Sequence, residues 1–326
     1  MYYDIIAIGG AMRDIIFYTR EGLVLDNSDN PVCERLIAFE LGAKVHIKEV
    51  YFGTGGGAIN SAVGFSRLGI KTAVLARVGD DREGDSLIKE MRKQKIDTRF
   101  IQKDKRISTG FSFILSLFKK RAHAIFAYHG ATDFLQPPNK ESNSFTAKWL
   151  YVSSLGLNWS DVLDKIFRFK MKNKALIAWN PSNTNLQAGY QGLAKYLKST
   201  DLFILNKDEA RELVLSKYRK TNNLEVRRLL KEIYQMGAKI VAITVGPEGA
   251  YAYDGQKVYY QREMPAKVVN STGAGDAFSS GFIASLIYKP NDIKRALYWG
   301  VANSTSVIKK IGAQKGLLTK KQMLSK

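Results

Sequence analysis

The run Asn270-Ser271-Thr272-Gly273-Ala274-Gly275-Asp276-Ala277-Phe278 follows an extended stretch at 266–269 and leads into an apolar helix over 278–287. Two glycines and an alanine at a helix start let the backbone come close to a ligand. The unpaired N–H groups and the positive end of the helix dipole then form an anion site. A carboxylate there is not explained by anion binding, because it repels phosphate. Asp276 has a use if it faces an attacking hydroxyl. It can take that proton while the N–H groups of Gly273, Ala274 and Gly275 hold the charge growing on a transferred phosphoryl. The other reading is an Asp that only caps the helix. The run alone does not choose, since Gly-rich helix starts are common.

A second run, Gly53-Thr54-Gly55-Gly56-Gly57-Ala58-Ile59-Asn60-Ser61, also opens a helix. Its glycines allow close backbone approach, and Asn60, one turn inside, is able to donate and accept hydrogen bonds to hydroxyls. A tight turn with no ligand is the alternative. No Gly-Lys-Ser/Thr follows either run, so neither is a Walker A loop. No strand-linked Gly-x-Gly-x-x-Gly with a following acid is present, which disfavours a nicotinamide enzyme.

The elements that must position these runs alternate along the chain. Strands are expected over 4–8, 72–78, 149–153, 175–179, 202–205 and 240–245. Helices are expected over 58–68, 84–94, 191–198, 207–218 and 225–236, with two more over 274–288 and 292–310. This alternation predicts an α/β fold, a doubly wound, mostly parallel sheet covered on both faces. A hairpin around Gly255 follows the sixth strand. Residues 36–52 and 108–128 alternate apolar and polar instead, which reads as antiparallel strands with one solvated face. They form a small β-sheet standing off the body, placed to act as a lid. The whole chain, 1–326, is then one domain, with lid insertions at about 15–52 and 98–131, and Pro137-Pro138 marks the return to the body.

Composition is that of a soluble globular chain: 326 residues, 45% hydrophobic and 25% charged. No apolar run is long enough to span a membrane, and the N-terminus lacks a signal-peptide pattern, so the cytoplasm is the expected compartment. One cysteine, Cys33, excludes an internal disulfide, and three histidines are too scattered for a zinc site. The net charge of +20 raises nucleic-acid binding as a possibility. The basic clusters carry no interleaved stacking aromatics, so nucleic acid is not expected, and a solvated basic surface is the better reading.

The two runs, in this order and this far apart, resemble the PfkB (ribokinase-like) carbohydrate kinase family over nearly the whole chain. The N-terminal signature is matched by Gly55-Gly56-Gly57-Ala58-Ile59-Asn60-Ser61-Ala62, continuing through Gly69 to Gly79-Asp80-Asp81-Arg82-Glu83-Gly84. The C-terminal signature is matched from Asn270 to Gly281. Asn206-Lys207-Asp208-Glu209 is similar to the family's Asn-x-x-Glu element, and Thr244-Val245-Gly246-Pro247-Glu248-Gly249 to its nucleotide-site strand end. The resemblance implies a ribokinase-like three-layer α/β/α fold with a β-lid. It further implies that Asp14, Gly56, Gly57 and Asn60 bind the acceptor, and that Asn206, Glu209, Thr244 and Gly246 serve the nucleotide. Glu209 would act on Mg²⁺ through water, although Asn206 and Glu209 are also the pair that would cap the following helix. Asn303 is placed on the adenine side, its alternative being a satisfied polar residue on a packed helix. Asp276 matches the catalytic base.

Three departures qualify the match. Asn270 stands where many members have the Asp that helps hold a monovalent cation, so a cation site here is expected to be weak or absent. The Gly-Gly-Lys-Gly-Ala-Asn of ribokinases is replaced by Gly55 to Asn60, and Val152-Ser153-Ser154 stands where they carry a Glu. Both argue against a ribokinase proper. Phe111, Phe113 and Tyr128 could pack on a sugar or base, but period-two aromatics more often form a sheet's own packing. The function expected is ATP-dependent phosphorylation of a primary hydroxyl on a small sugar. A nucleoside kinase is second, and a non-catalytic basic binding protein third. A homodimer through the exposed lid face is a further expectation.

Overall fold

The computed structural model describes residues 2–26, 35–117, 123–137, 145–218 and 224–325; Cys33 and Pro138 lie outside these. In chain order, β1 (Tyr2–Ile8) is followed by β2 (Met12–Thr19), the pair β3 (Leu23–Asp26) and β4 (Arg35–Ala38), and β5 (Glu49–Gly55), which passes into α1 (Gly57–Arg67). Next come β6 (Thr72–Gly79), α2 (Arg82–Lys93), β7 (Asp97–Asp104), β8 (Thr109–Leu117), β9 (His123–Gly130) and β10 (Thr146–Val152). Then follow α3 (Trp159–Asn173), β11 (Leu176–Trp179), α4 (Asn183–Leu186), α5 (Gly189–Leu197), β12 (Leu202–Asn206), α6 (Lys207–Lys217), α7 (Val226–Gln235) and β13 (Val241–Thr244). A hairpin of β14 (Ala250–Tyr253) and β15 (Val258–Gln261) precedes α8 (Ala274–Tyr288), α9 (Ile293–Val307) and α10 (Lys320–Leu324).

The main sheet has the order β15-β14-β13-β12-β11-β10-β1-β6-β7, parallel from β13 to β7 and antiparallel through the hairpin. Strand β1, between β10 and β6, shows why both faces are covered. Ile5 and Ala7 of β1 join the core formed with α1, α2, α8 and α9, while Ile6 and Ile8 join the opposite core with α3, α5, α6 and α7. A stretch such as Ile5–Ile8, apolar at every position, has no face for water and must be sandwiched. The result is the expected three-layer α/β/α arrangement.

Four strands, β5-β2-β8-β9, form the small sheet. Its period-two alternation separates two faces. Asp14, Ile16 and Tyr18 of β2 and Ser112 and Ile114 of β8 are buried on the face toward the body, where Ile16, Tyr18 and Ile114 pack with Tyr51 and Ile311. Ile15, Phe17, Val50, Phe113 and Phe126 line an apolar hollow on the other face.

Three features differ from expectation. β7 pairs with β6 at the edge of the main sheet, so of the expected 98–131 insertion the described residues that build the small sheet are 109–117 and 123–130. β2 and β8 run parallel, which makes that sheet mixed instead of antiparallel. α3 fills a connection for which no helix was expected. It buries Val162, Leu163, Ile166 and Phe167, a helical spacing that was present in the sequence. Among the described residues no helix is long and apolar enough to cross a membrane.

Candidate active site

Asp14 lies in the middle of β2, opposite Gly53 of β5 and Ser112 of β8. Its carboxylate is buried and accepts a hydrogen bond from Ser112 Oγ at 2.6 Å. Burial raises its pKa, and the Ser112 donor partly offsets the rise. The space it occupies exists because residue 55 is glycine: a Cβ there would lie 2.1 Å from Asp14 Oδ1. Gly56, with φ of 91°, caps α1, and a Cβ on it would meet Gly10 O at 2.4 Å. Gly57 lies against Ser153, so the first turn of α1 sits directly on the ends of β1 and β10. These close approaches are what the glycine run provides.

Asn60 carries the site across to α8. Its Nδ2 donates to Asp276 Oδ2 at 2.9 Å, and its Oδ1 accepts from Gln314 Nε2 at 2.9 Å. Gln314 also reaches Thr54 O at 3.0 Å and Thr54 Oγ1 at 2.9 Å. Gln314 therefore fixes which end of the Asn60 amide faces Asp276, because its own NH₂ is the donor in each contact. Crowding by protein raises the Asp276 carboxyl to about 7; the Asn60 donor opposes the rise and the charge of Asp14 adds to it. A carboxyl held near neutrality is suited to proton transfer.

Gly273, in the left-handed region with φ of 76°, caps α8, and a Cβ there would lie 2.4 Å from Ala313 Cβ. The first intrahelical bond is Ala277 N–H to Gly273 O, which leaves the N–H groups of Gly275 and Asp276 without a helical partner. Ala274 N–H donates to Ser271 O at 3.2 Å, a longer and weaker bond. Nothing lies within 4 Å of a Cβ placed on Gly275, so the helix end faces open space. Asn270 is buried, and its Oδ1 accepts from Thr272 N–H at 3.0 Å. The acceptor that would serve a cation is thus committed to the turn.

Asn206 and Glu209 form a reciprocal capping box at the start of α6, each bond 2.8 Å long. One carboxylate oxygen of Glu209 is used in this box and the other is not. Burial raises the Glu209 pKa. Thr244 ends β13 beside Asn206, and Gly246, with φ of 48°, has open space on its Cβ side. Tyr151, buried in β10, feels the charges of both Asp276 and Glu209. Ligands of open α/β sheets bind outside the carboxyl ends of the strands, and these residues lie there.

One expectation is corrected, and the favoured reading of the small sheet's aromatics as its own packing holds. Asn303 is fully buried. Its Nδ2 donates to Ala277 O at 2.9 Å and Ser280 Oγ at 3.2 Å, and its Oδ1 accepts from Leu318 N–H at 2.9 Å. With its polar atoms engaged inside the fold, it has no contact to offer a nucleotide. Phe111, Phe113 and Tyr128 pack on one another with ring centroids 5.2 Å apart, on the face opposite Asp14 and Ser112. They do not reach the site. Ser112 and Gln314 were not anticipated, because neither belongs to a local motif. Among the described residues no group of three or more His, Cys, Asp or Glu could hold a metal ion.

A family model for pfkB family carbohydrate kinases matches residues 30–320. An uncharacterized sugar kinase of Archaeoglobus fulgidus is 28% identical over 258 residues, 78% of this chain and 98% of that protein. The structure of Arabidopsis thaliana ribokinase complexed with ribose and ATP superposes with a TM-score of 0.81 at 17% identity, covering 100% of this chain and 98% of that one. A nucleoside kinase of Methanocaldococcus jannaschii, a ribokinase-family member, superposes with a TM-score of 0.79 at 21% identity, covering 98% and 96%.

Proposed function

The chain belongs to the pfkB family of carbohydrate kinases and is a phosphotransferase, and we propose that it moves the γ-phosphate of ATP onto a primary hydroxyl of a small sugar with Asp276 as base. The observation that carries this reading is the meeting of Asp14, Asn60 and Asp276, from β2, α1 and α8, beside an open helix N-terminus. Asp14 accepts hydrogen bonds from acceptor hydroxyls, and Asn60 both orients Asp276 and offers a donor. The reacting hydroxyl gives its proton to Asp276 as its oxygen bonds to the γ-phosphorus and the bond from that phosphorus to ADP breaks. The N–H groups over Gly273 to Gly275 hold the charge that develops on the phosphoryl oxygens. Ala274 contributes once its weak bond to Ser271 yields.

Asn206, Glu209, Thr244 and Gly246 are assigned to the nucleotide, at the ends of β12 and β13. The uncommitted, desolvated oxygen of Glu209 fits a water-mediated Mg²⁺, which when bound supplies charge neutralisation on the phosphates. A monovalent cation does not fit Asn270, whose side chain is neutral and whose oxygen already accepts from Thr272. The use of ATP suits the cytoplasm. The exposed apolar face of the small sheet, with Phe52, Phe113 and Phe126, supports a homodimer through the lid. A single monomer mass in light scattering would remove that assignment.

A nucleoside acceptor is the second reading, favoured by the matching fold of the nucleoside kinase. A coupled ADP-release assay with Mg-ATP against sugars and nucleosides decides between them. Turnover on a sugar that disappears in Asp276→Asn supports the first reading. Turnover on nucleosides alone supports the second, and wild-type turnover in Asp276→Asn removes the assignment of the base.

A further inference from the structure

Gly79-Asp80-Asp81-Arg82-Glu83-Gly84 is a part of the N-terminal signature for which the site described above has no use. It joins β6 to α2, and its carboxylates bond to the small sheet. Asp81 caps α2 by accepting from Gly84 N–H at 2.8 Å. The same carboxylate accepts from the N–H and the hydroxyl of Thr109, the first residue of β8, both at 2.7 Å. Glu83 and Glu90, two turns apart on α2, both reach Arg13 of β2. Arg13 Nε lies 3.3 Å from Glu83 Oε2, and Nη1 lies 2.9 Å from Glu90 Oε1. α2 belongs to the body, since its Leu87, Ile88 and Met91 are buried in the core shared with α1 and α8.

These ties fall next to Asp14. Arg13 precedes it in β2, and Thr109 stands three residues before Ser112, its donor on β8. β5, the other neighbour of β2, is held through Thr54 by Gln314. Of the three ties, the one on β2 is ionic. Its guanidinium is sheltered, with the Arg13 side chain 20% exposed against 55% for Glu83 and 38% for Glu90. Glu90 also lines a cavity together with Asp14. Arg13 thus supplies the positive charge among three carboxylates, Asp14, Glu83 and Glu90, that would otherwise repel one another.

We propose that Arg13 is a positioning residue for acceptor binding, which fixes the strand carrying Asp14 to α2 and so sets where Asp14 stands relative to Asn60 and Asp276. This rests on the kinase reading and adds to it a residue that acts through another. Asn60 and Asp276 are bonded to each other within the body, so their relation does not depend on Arg13. Asp14 is held from the small sheet, by Ser112. Loosening β2 therefore weakens the grip on acceptor hydroxyls and leaves the base and the nucleotide side as they are.

The test is the ADP-release assay with the sugar or nucleoside that turns over fastest. Arg13→Gln should raise the acceptor KM about fivefold, the scale of one sheltered ion pair, with kcat and the ATP KM changed less than about twofold. Arg13→Lys, which keeps the charge and loses the fork, should fall between wild type and Arg13→Gln. Glu83→Gln combined with Glu90→Gln should reproduce the rise. Adding Arg13→Gln to that pair should then raise KM by less than about twofold more, because the partners are already gone. An unchanged acceptor KM in Arg13→Gln overturns the assignment, and so does an equal rise in the ATP KM. A full effect that persists in the Glu83→Gln, Glu90→Gln background also overturns it, and puts Arg13 on the acceptor itself. Hydrogen exchange without nucleotide needs no turnover. Amides of β2 should exchange about threefold faster in Arg13→Gln, and those of β1 and β10 should not change. If no acceptor releases ADP yet exchange responds in this way, the kinase reading falls and the tie of β2 to α2 stands. Unchanged exchange in β2 overturns the tie whatever the assay shows.

Discussion

The amide of Asn60 donates to the carboxylate of Asp276 across 2.9 Å, joining the first turn of α1 to the first turn of α8 over 216 positions of sequence. Each glycine run alone is a helix start that any anion or none could occupy. Joined through this bond, they put an amide able to hydrogen-bond a hydroxyl and a carboxyl held near neutrality in one place.

Replacing Asp276 by Asn removes the proton acceptor and keeps the shape. kcat should fall about 10²–10⁴-fold, with the nucleotide KM changed little. Steady-state ADP release, with ATP and acceptor varied separately, measures both.

The same variant should gain stability as pH rises. The carboxyl titrates near 7 in the folded chain and well below that when unfolded, so between those values the folded state holds the extra proton. The stabilising effect of that proton is complete at low pH and is lost as pH rises through about 7. Asp276→Asn escapes the loss. Because the side chain is only half-buried, the gain is ~1 kcal/mol, about 2 °C in Tm for a chain of this size. Thermal melts at pH 3 and pH 8 should show the difference at pH 8 and none at pH 3, with an intermediate value at pH 5.

For the wild type, kcat/KM should rise with pH and level off above about 7, as the Asp276 carboxyl loses its proton. Gln314→Leu frees the Asn60 amide to turn, and its oxygen can then face the carboxylate. The rising limb should move to higher pH in this variant, and kcat should fall roughly 10-fold, for about 1.4 kcal/mol of lost positioning. A pH–rate profile unchanged from wild type would remove Gln314 from the site.

Asn303→Ala should leave the ATP KM within twofold and lower stability by about 1–3 kcal/mol, because the Leu318 N–H loses its buried acceptor. Denaturant unfolding together with nucleotide kinetics separates the two effects. A large rise in KM for ATP at unchanged stability would restore the nucleotide role.

Much of this site could be read before the fold was known, for a physical reason. Gly55 to Asn60 and Gly273 to Asp276 are local devices, each a close-approach backbone followed by one polar side chain, so their meaning travels in a few consecutive residues. Ser112 and Gln314 had no such signal. Ser112 is an ordinary small residue in a period-two strand, and it matters only because β8 lies parallel to β2 and sets it opposite Asp14. Gln314 follows the last long helix and acquires its partners by folding back across Thr54. Asn303 misled for the converse reason: a polar residue on an apolar helix looks available until its neighbours, Ala277 and Leu318, are seen to use it. β7 escaped notice because an edge strand tolerates charge. Only Phe100 and Ile101 break the polar run of Asp97–Asp104.

The small sheet is joined to α1 through Gly56, which sits between the last residue of β5 and the first of the helix. Asp14 is carried by that sheet, whereas the carboxyl of Asp276 and the free N–H groups beside it are carried by α8. If the sheet moves over the site as a lid, Asp14 would move with it and the base and anion donors would stay together on one helix, so that the two halves of the site would meet only in the closed arrangement.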